Sequence, residues 1–194
     1  MKKHLAIQQG VFYTRTMSIL NQFYPDNYIE STYQIDFEQL KGQGIEGVIF
    51  DIDNTLVPHG APADKRSIAL FQQLHKLGIQ TMLLSNNKEP RVKTFAERVE
   101  TGYIYKAGKP SVRNYKKAME LMGTGKETTL FVGDQLFTDI WGAKRAGITT
   151  CLVKPIHPKE EIQIVLKRRL EWIVLYFYKK SLVKKKEKRK GGLK

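Results

Sequence analysis

The sequence has little cysteine and little histidine, and this excludes several kinds of site. Cys151 is the single cysteine among 194 residues, so a disulfide within the monomer is impossible. Its apolar neighbours Leu152 and Val153 predict a buried strand thiol. The four histidines are scattered without metal-ligand spacing, and no GxSxG motif stands between a strand and a helix. Histidine metal sites and serine-nucleophile schemes therefore both fail.

Acidic residues and long apolar runs are also scarce. Lys and Arg number 33 against 19 Asp and Glu, a net charge of +14. The apolar, aromatic run LEWIVLYFY at 170–178 is far shorter than the roughly 20 residues that a bilayer span needs. The N-terminal segment from Leu5 to Leu20 is interrupted by Gln8, Gln9 and Arg15, and it lacks a signal-peptide core and cleavage site. We therefore expect the protein to stay in the cytoplasm.

The ten residues VIFDIDNTLV at 48–57 are the most informative stretch present. An apolar run typical of a buried parallel strand leads into Asp51, with Asp53 two positions later and Thr55 two further on. Ligands of open α/β sheets bind at the carboxyl ends of strands, and strand alternation would point both acids into one crevice. Two adjacent carboxylates need a cation or a shared proton. A solvated turn or a helix cap is the alternative reading of the pair.

Three further stretches follow in the order that a phosphoryl-transfer site needs. The run TMLL ends at Ser85 and Asn86, which can hold phosphate oxygens. Lys109, in the loop KAGKP, can pair with a phosphate or a carboxylate. The run LFV ends at Gly and Asp134, followed by Asp139. Each residue has an alternative role: Ser85 could be a helix N-cap, Lys109 a solvated cation and Asp139 an acid at a helix start. The order of these stretches along the chain favours the interpretation as a functional site.

These stretches carry a family resemblance. DIDNTL, LLSNN, KAGKP and VGDQLFTD resemble the four motifs of the haloacid dehalogenase (HAD) phosphatase superfamily, over roughly residues 47–153. The lead-in YPDNYIESTYQIDFEQLKGQGIEGVIFDIDNTL resembles subfamily IIIA, the group of bacterial YqeG-type proteins and of phosphatidylglycerophosphate phosphatases of mitochondria and plastids. With the lead-in, the likeness extends over most of the chain from about Leu20.

The resemblance implies a role for each motif residue. Asp51 would be the nucleophile that forms an aspartyl-phosphate, and Asp53 the general acid and base. Mg²⁺ would be bound by Asp51, Asp134 and the backbone carbonyl of Asp53. The remaining side chains would support phosphate and metal: Ser85, Asn86 and Lys109 hold the phosphoryl oxygens, and Thr55 and Asp139 orient the metal ligands.

The fold implied is α/β and Rossmann-like, a three-layer sandwich around a mainly parallel sheet. The intervals from Asp53 to Ser85 and from Ser85 to Lys109 each hold little more than one βα unit, so no cap domain fits. An uncapped site suits large or surface-bound substrates. We divide the chain into an N-terminal arm packing on the core, the phosphatase core, a C-terminal amphipathic, aromatic helix and a basic, disordered tail, at 1–44, 45–158, 159–180 and 181–194.

The C-terminal segment is compatible with three interpretations of its role. Residues 179–194 hold nine Lys or Arg and one Glu, a net charge of +8 that follows the aromatic helix directly. This pattern is typical of an interfacial anchor on an anionic membrane. The helix could instead pack on the domain and leave an inert tail, or the tail could bind RNA or the ribosome.

The expected function is hydrolysis of phosphatidylglycerophosphate to phosphatidylglycerol by a Mg²⁺-dependent phosphomonoesterase, peripheral on the inner face of the cell membrane. One alternative substrate is a soluble metabolite, a phosphoprotein or a nucleic-acid end. An alternative of another class is a ribosome- or RNA-associated binding protein with a vestigial site. The sequence leaves the oligomeric state open.

Overall fold

A computed structural model describes residues 19–157 and 162–191, in which strands and helices alternate along the chain. The six strands are β1 Asn27–Ile29, β2 Gly47–Phe50, β3 Gln80–Leu84, β4 Gly102–Ile104, β5 Thr129–Gly133 and β6 Thr149–Val153. The helices are α1 Phe37–Gly42, α2 Lys65–Lys76, α3 Glu89–Val99, α4 Val112–Met122, α5 Trp141–Arg145 and α6 Ile162–Gly191. Short 3₁₀ helices lie at Ile19–Phe23 and Thr32–Gln34, and a π-helix at Leu136–Ile140.

All six strands form one parallel sheet in the order β1-β6-β5-β2-β3-β4. Strand β2 lies between β3 and β5, with Phe50 opposite Leu83 on one side and Val132 on the other. Because the strands run in register, the residues that follow β2, β3 and β5 all emerge at the same edge. The chain changes direction across the sheet at β2, and such a switch point is where open α/β sheets bind their ligands.

Helices cover both faces of the sheet, as the strand alternation requires. Phe50 packs with Phe71 of α2 and Phe95 of α3 on one face, whereas Ile49 packs with Tyr115 of α4 on the other. The sheet is buried on both faces, which explains why its central strands are almost wholly apolar. The predicted three-layer α/β sandwich is confirmed.

The connections after β2 and β3 are short. Every residue from 54 to 84 is described, and this interval contains α2 and its loops but no inserted domain. Helix α2 begins with a capping box in which Asp64 accepts from the Ser67 backbone N–H at 2.7 Å and Ser67 Oγ accepts from the Asp64 N–H at 3.0 Å. Gly78 follows it with a φ of +66°, a conformation that glycine adopts without strain. Within the described residues, no inserted domain covers the edge of the sheet that carries Asp51.

The described part of the N-terminal segment joins the sheet. Residues 27–29 form the edge strand β1 beside β6, and Phe37 and Leu40 of α1 are buried in the same core cluster as Phe50. The division at residue 44 stays a prediction, and residues 1–18 lie outside the described ones. Cys151 is buried on β6, as predicted from its apolar neighbours, and burial raises the pKa of its thiol to about 12.

The C-terminal helix is longer than predicted. The sequence indicated a helix ending near Lys180 and a disordered tail from residue 181, but α6 continues to Gly191. Lys, Arg and Glu, which fill the added turns, are good helix formers, whereas glycine is a poor one. Residues 158–161 and 192–194 lie outside the described ones. Within the described part of the chain, no helix combines the length and apolarity that crossing a membrane requires.

Candidate active site

The candidate site lies where β2, β3 and β5 end. Asp51 follows β2, Ser85 follows β3, and Asp134 follows β5, so the three residues meet at the carboxyl edge of the sheet. The backbone N–H of Asp51 donates to the carbonyl of Val132 at 3.0 Å, which continues the β2–β5 pairing into the site. All three side chains are buried. The sheet therefore positions acid and hydroxyl groups from three separate motifs.

Lys109 joins two of the carboxylates. Its Nζ donates to Asp51 Oδ1 and to Asp139 Oδ1, each at 2.6 Å, and the three side chains are almost inaccessible to solvent. Burial alone would lower the pKa of the ammonium, but Asp139 and Asp51 outweigh it and raise the pKa, so Lys109 stays charged. Burial raises the pKa of Asp51 in turn, Lys109 opposes that rise, and Asp139 adds to it. Further positive charge beside Asp51 would favour its ionised form.

Three buried carboxylates come together in this cluster. One oxygen from each of Asp51, Asp134 and Asp139 lies within 4.8 Å of the others, and all three residues are buried. The three ionised carboxylates carry a formal charge of −3, and the Lys109 ammonium offsets one unit of it. A divalent cation would balance that charge, and carboxylate oxygens are the ligands that Mg²⁺ prefers. The donor set therefore fits a hard divalent metal.

Hydrogen bonds orient the acids of the cluster. The Thr55 hydroxyl lies 3.2 Å from Asp134 Oδ1 and 3.4 Å from Asp51 Oδ2, so it can donate to either. Asp139 accepts from the backbone N–H of Gln135 through Oδ2 while its Oδ1 accepts from Lys109. Both Asp139 oxygens are thus engaged by the protein, and so are both Asp51 oxygens, through Lys109 and Thr55, so hydrogen bonds hold the two carboxylates in place.

Asn86 holds the Lys109 loop. Its side-chain Oδ1 accepts from the Lys109 backbone N–H at 2.8 Å, and its Nδ2 donates to the Lys109 carbonyl at 3.2 Å. The family resemblance implies that Asn86 holds phosphoryl oxygens, whereas both polar atoms of its side chain contact the Lys109 backbone. Ser85 Oγ accepts from the Asn87 N–H at 3.2 Å, which leaves the hydroxyl hydrogen able to donate to a phosphate oxygen.

Asp53 lies outside the three-carboxylate cluster. Its carboxylate accepts from Asn87 Nδ2 at 2.7 Å, from the Gly60 N–H at 2.8 Å and from Arg91 Nη2 at 3.0 Å. Strand β2 ends at Phe50, so the alternation that predicted a shared crevice for both acids does not extend to Asp53. The orientation of the Asp53 carboxylate therefore depends on these three donors rather than on strand alternation.

Sequence reasoning missed three residues that hold the site. Asn87 and Arg91 bind Asp53, and buried Glu171 of α6 accepts from the Leu136 N–H at 2.7 Å, two residues after Asp134. The contact of Arg91 with the site could have been predicted from its position, because a residue in the first turn of a helix that follows a strand lies near the strand's carboxyl end. The contact of Glu171 could not have been predicted from the local sequence, since its partner Leu136 is 35 positions away.

The structure brings together most of the predicted residues. Asp51, Thr55, Lys109, Asp134 and Asp139 form one connected group of hydrogen bonds and ion pairs. Asn86 and Ser85 border this group through the Lys109 loop and the end of β3.

Comparisons with known proteins identify the class. Residues 61–147 match the haloacid dehalogenase-like hydrolases. The chain is 36% identical over 160 residues to a protein of Bacillus subtilis strain 168 described as "Probable phosphatase YqeG", a match spanning 82% of this chain and 93% of that protein. The chain belongs to the haloacid dehalogenase-like hydrolases, in the YqeG-type group, and is a phosphoric monoester hydrolase.

Two further matches are informative. Over 164 residues the chain is 27% identical to phosphatidylglycerophosphate phosphatase 1 of Arabidopsis thaliana, spanning 78% of this chain but 47% of that protein, so it corresponds to about half of the plant protein's length. A Vibrio cholerae structure assigned as a 3-deoxy-D-manno-octulosonate 8-phosphate phosphatase superposes with a TM-score of 0.50 at 17% identity, over 67% of this chain and 78% of that chain. The second match shows a shared fold.

Proposed function

We propose that the protein is a Mg²⁺-dependent phosphatase that acts through an aspartyl-phosphate on Asp51 and converts phosphatidylglycerophosphate to phosphatidylglycerol. The observation that carries the chemistry is the buried Asp51 carboxylate at the end of β2, 2.6 Å from Lys109 and grouped with Asp134 and Asp139. Lys109 holds this carboxylate in an ion pair, and the neighbouring carboxylates offer further oxygen ligands to a metal.

The reaction has two halves. An Asp51 oxygen attacks phosphorus, and the bond from phosphorus to the leaving alkoxide breaks while Asp53 gives that alkoxide a proton. Asp53 then takes a proton from a water molecule, which attacks the aspartyl-phosphate and releases inorganic phosphate, restoring Asp51. Arg91, Asn87 and Gly60 fix the Asp53 carboxylate before it enters this cycle.

The phosphoryl oxygens would be held by groups from two motifs. The Ser85 hydroxyl and the backbone N–H of Asn86 can donate to them, and the Lys109 ammonium neutralises part of their charge. We assign the Asn86 side chain to holding the Lys109 loop, because both its polar atoms contact the Lys109 backbone.

Asp51, Asp134 and the backbone carbonyl of Asp53 would hold Mg²⁺, with Thr55 and Asp139 orienting the acids around it. When bound, the metal reduces the repulsion between the Asp51 carboxylate and an anionic phosphate ester. The proximity of three buried carboxylates, each with an oxygen within 4.8 Å of the others, supports this assignment.

Two observations support the lipid substrate. The interval from Asp53 to Ser85 contains one helix and no cap, so a large headgroup on a surface can approach the site. The chain also resembles the phosphatidylglycerophosphate phosphatases of Arabidopsis thaliana and Chlamydomonas reinhardtii, with 27% and 29% identity. On this proposal the enzyme works on the inner, cytoplasmic face of the cell membrane.

The test measures phosphate release from phosphatidylglycerophosphate in mixed micelles with Mg²⁺. A phosphosugar, a nucleoside monophosphate and a 3′-phosphorylated oligonucleotide are assayed in parallel. Asp51→Asn is the matched control, because it replaces one oxygen by NH₂ with almost no change in volume. We expect strong preference for the lipid, loss of turnover in the control, and loss with EDTA that added Mg²⁺ restores.

Each other outcome has a definite meaning. Turnover of a soluble ester or the oligonucleotide without lipid turnover would overturn the lipid substrate and keep the Asp51 chemistry. Full activity in Asp51→Asn would overturn the mechanism, and full activity in EDTA would overturn the metal assignment. Inactivity on all four compounds, with retained RNA binding, would favour the binding-protein alternative.

A further inference from the structure

Helix α6 presents apolar residues on two opposite sides, and the domain covers one of them. Val174 is buried against Leu136, Ile140 and Leu152, and Tyr178 is buried with its ring centroid 5.2 Å from that of Tyr24. This packing fixes the inner side of the helix on the domain.

The outer face of α6 is exposed. Six large apolar side chains form it: Leu170, Trp172, Ile173, Tyr176, Phe177 and Val183. Trp172 is 68% exposed, and its ring stacks on that of Tyr176 with centroids 6.0 Å apart. At 3.6 residues per turn Trp172, Ile173, Tyr176 and Val183 lie together on the side opposite Val174 and Tyr178, and Leu170 and Phe177 lie along one edge of that side. A helix that is apolar on both sides is expected to bury its second side against another partner.

Basic residues are interleaved with the outer face. Arg169, Lys179 and Lys180 are exposed, and Lys180 Nζ lies 5.0 Å from the centre of the Tyr176 ring. The sequence from Lys179 onward adds a net charge of +8. Tryptophan and tyrosine beside lysine and arginine are the residues that proteins place at the boundary between lipid headgroups and acyl chains.

We infer that the outer face of α6 docks on the surface of an anionic lipid bilayer, with the helix lying in the plane of the headgroups. This inference rests on the proposed function and names the surface through which the site meets a lipid substrate. The charge of the segment favours lipid over a second copy of the chain, because two copies would bring two strongly basic segments together.

The docking surface lies beside the active site. Glu171, on the inner side of α6, accepts from the Leu136 N–H at 2.7 Å, and Leu136 begins the π-helix that carries Asp139. The outer face is therefore one helix diameter from the loop that joins Asp134 to Asp139. Helix α6 thus connects the docking surface on its outer side to the segment that carries Asp134 and Asp139 on its inner side.

The test is flotation of the full chain with vesicles of phosphatidylcholine alone or mixed with phosphatidylglycerol, without any phosphate ester. The double variant Trp172→Gln/Phe177→Gln removes two exposed rings and keeps helix propensity. Leu121→Gln is the matched control, because Leu121 is 59% exposed on α4, away from α6. We expect the wild type and the control to float with anionic vesicles. The double variant should bind the same vesicles with an affinity lower by about tenfold or more.

A second readout uses Trp172 itself. Its emission should shift to the blue and be quenched by brominated lipids in anionic vesicles, and Trp172→Phe should bind while losing that signal. Equal flotation of the double variant and the wild type would overturn the inference. So would equal binding to neutral vesicles, or binding to RNA or self-association through these rings without vesicle binding.

The result is separable from that of the substrate assay. The double variant should hydrolyse a soluble phosphate ester at the wild-type rate, since neither ring belongs to the site. Vesicle binding that depends on the rings, with no turnover of the lipid, would keep the docking surface and remove the lipid substrate.

Discussion

Asp53 has three hydrogen-bond donors around its carboxylate, and one of them is a charged side chain that sequence reasoning overlooked. Arg91 reaches it from the first turn of α3 at 3.0 Å, while Asn87 reaches it from the end of β3. A general acid must be oriented toward the leaving oxygen, and orientation of this kind is a large part of its contribution to rate. On the proposed mechanism, Arg91 is a positioning residue that acts through Asp53.

Replacing Arg91 separates that role from simple structural support. We expect Arg91→Met to lower kcat about tenfold on an alkyl phosphate, whose leaving alkoxide needs a proton, and less on p-nitrophenyl phosphate, whose leaving group does not. Arg91→Lys keeps the charge and should recover part of the loss. An equal loss on both esters, measured by steady-state kinetics, would contradict the assignment.

Gly133 is required by the space beside Asp139 rather than by its backbone angle. A Cβ at this position would lie 2.6 Å from Asp139 Oδ2 and 2.7 Å from Asp139 Cβ. Gly133→Ala should therefore displace Asp139 from Lys109, abolish most activity and lower the free energy of unfolding by about 1–3 kcal/mol.

Gly42 supplies the control for this substitution. Nothing lies within 4 Å of a Cβ built at Gly42, the last residue of α1, so Gly42→Ala should leave activity unchanged and stability unchanged or slightly higher. Urea denaturation and phosphate release are measured on both variants. Equal behaviour of the two would show that the contact with Asp139 is unimportant.

At the scale of elements, the π-helix Leu136–Ile140 is the piece that joins the site to α6. It carries Asp139, and the carboxylate of Glu171 accepts from its first backbone N–H. Glu171 is only 4% exposed, so this N–H has a buried acceptor that water cannot easily replace.

Substitution of Glu171 tests that connection. Glu171→Ala should leave the Leu136 N–H buried without its acceptor, costing about 1–3 kcal/mol of stability and lowering activity by loosening the Asp134–Asp139 loop. Glu171→Gln keeps an oxygen acceptor and should retain most of both. Thermal unfolding and kinetics would contradict this role if alanine and glutamine behaved alike.

The sequence predicted some elements well and others poorly, for physical reasons. The apolar runs at Val48–Phe50 and Thr81–Leu84 coincide with β2 and β3, because strands buried on both faces are continuous in hydrophobicity. The edge strands β1 and β4 have three residues each and too little pattern to detect. The π-helix depends on tertiary contacts with α6 that the local sequence does not encode.

The same distinction holds for the candidate site. Asp51 and Asp134 follow buried strands, so their meeting at one edge could be predicted from the sheet alone. The use of the Asn86 side chain, and the hold of Arg91 on Asp53, depend on loop conformations that the strand pattern does not determine.

At the scale of the whole molecule, charge is unevenly distributed along the chain. The catalytic edge concentrates buried carboxylates, whereas more than half of the net charge of +14 falls in residues 179–194. Phosphate esters would be drawn toward the basic C-terminal segment, while a metal would be drawn to the carboxylates. On the proposed function, an uncapped site in a chain with such a segment suits a substrate that is itself part of an anionic surface.

Trapping the covalent intermediate tests the central claim most directly. The Asp53→Asn variant, incubated with Mg²⁺ and p-nitrophenyl phosphate and quenched in acid, should accumulate phosphate on the protein, because this leaving group needs no proton while the base that activates water is gone. Borohydride reduction and peptide mass spectrometry then locate the modified carboxylate. The account predicts the modification on Asp51; a modification at any other residue, or none in a protein whose Asp51→Asn variant still releases phosphate, would contradict it.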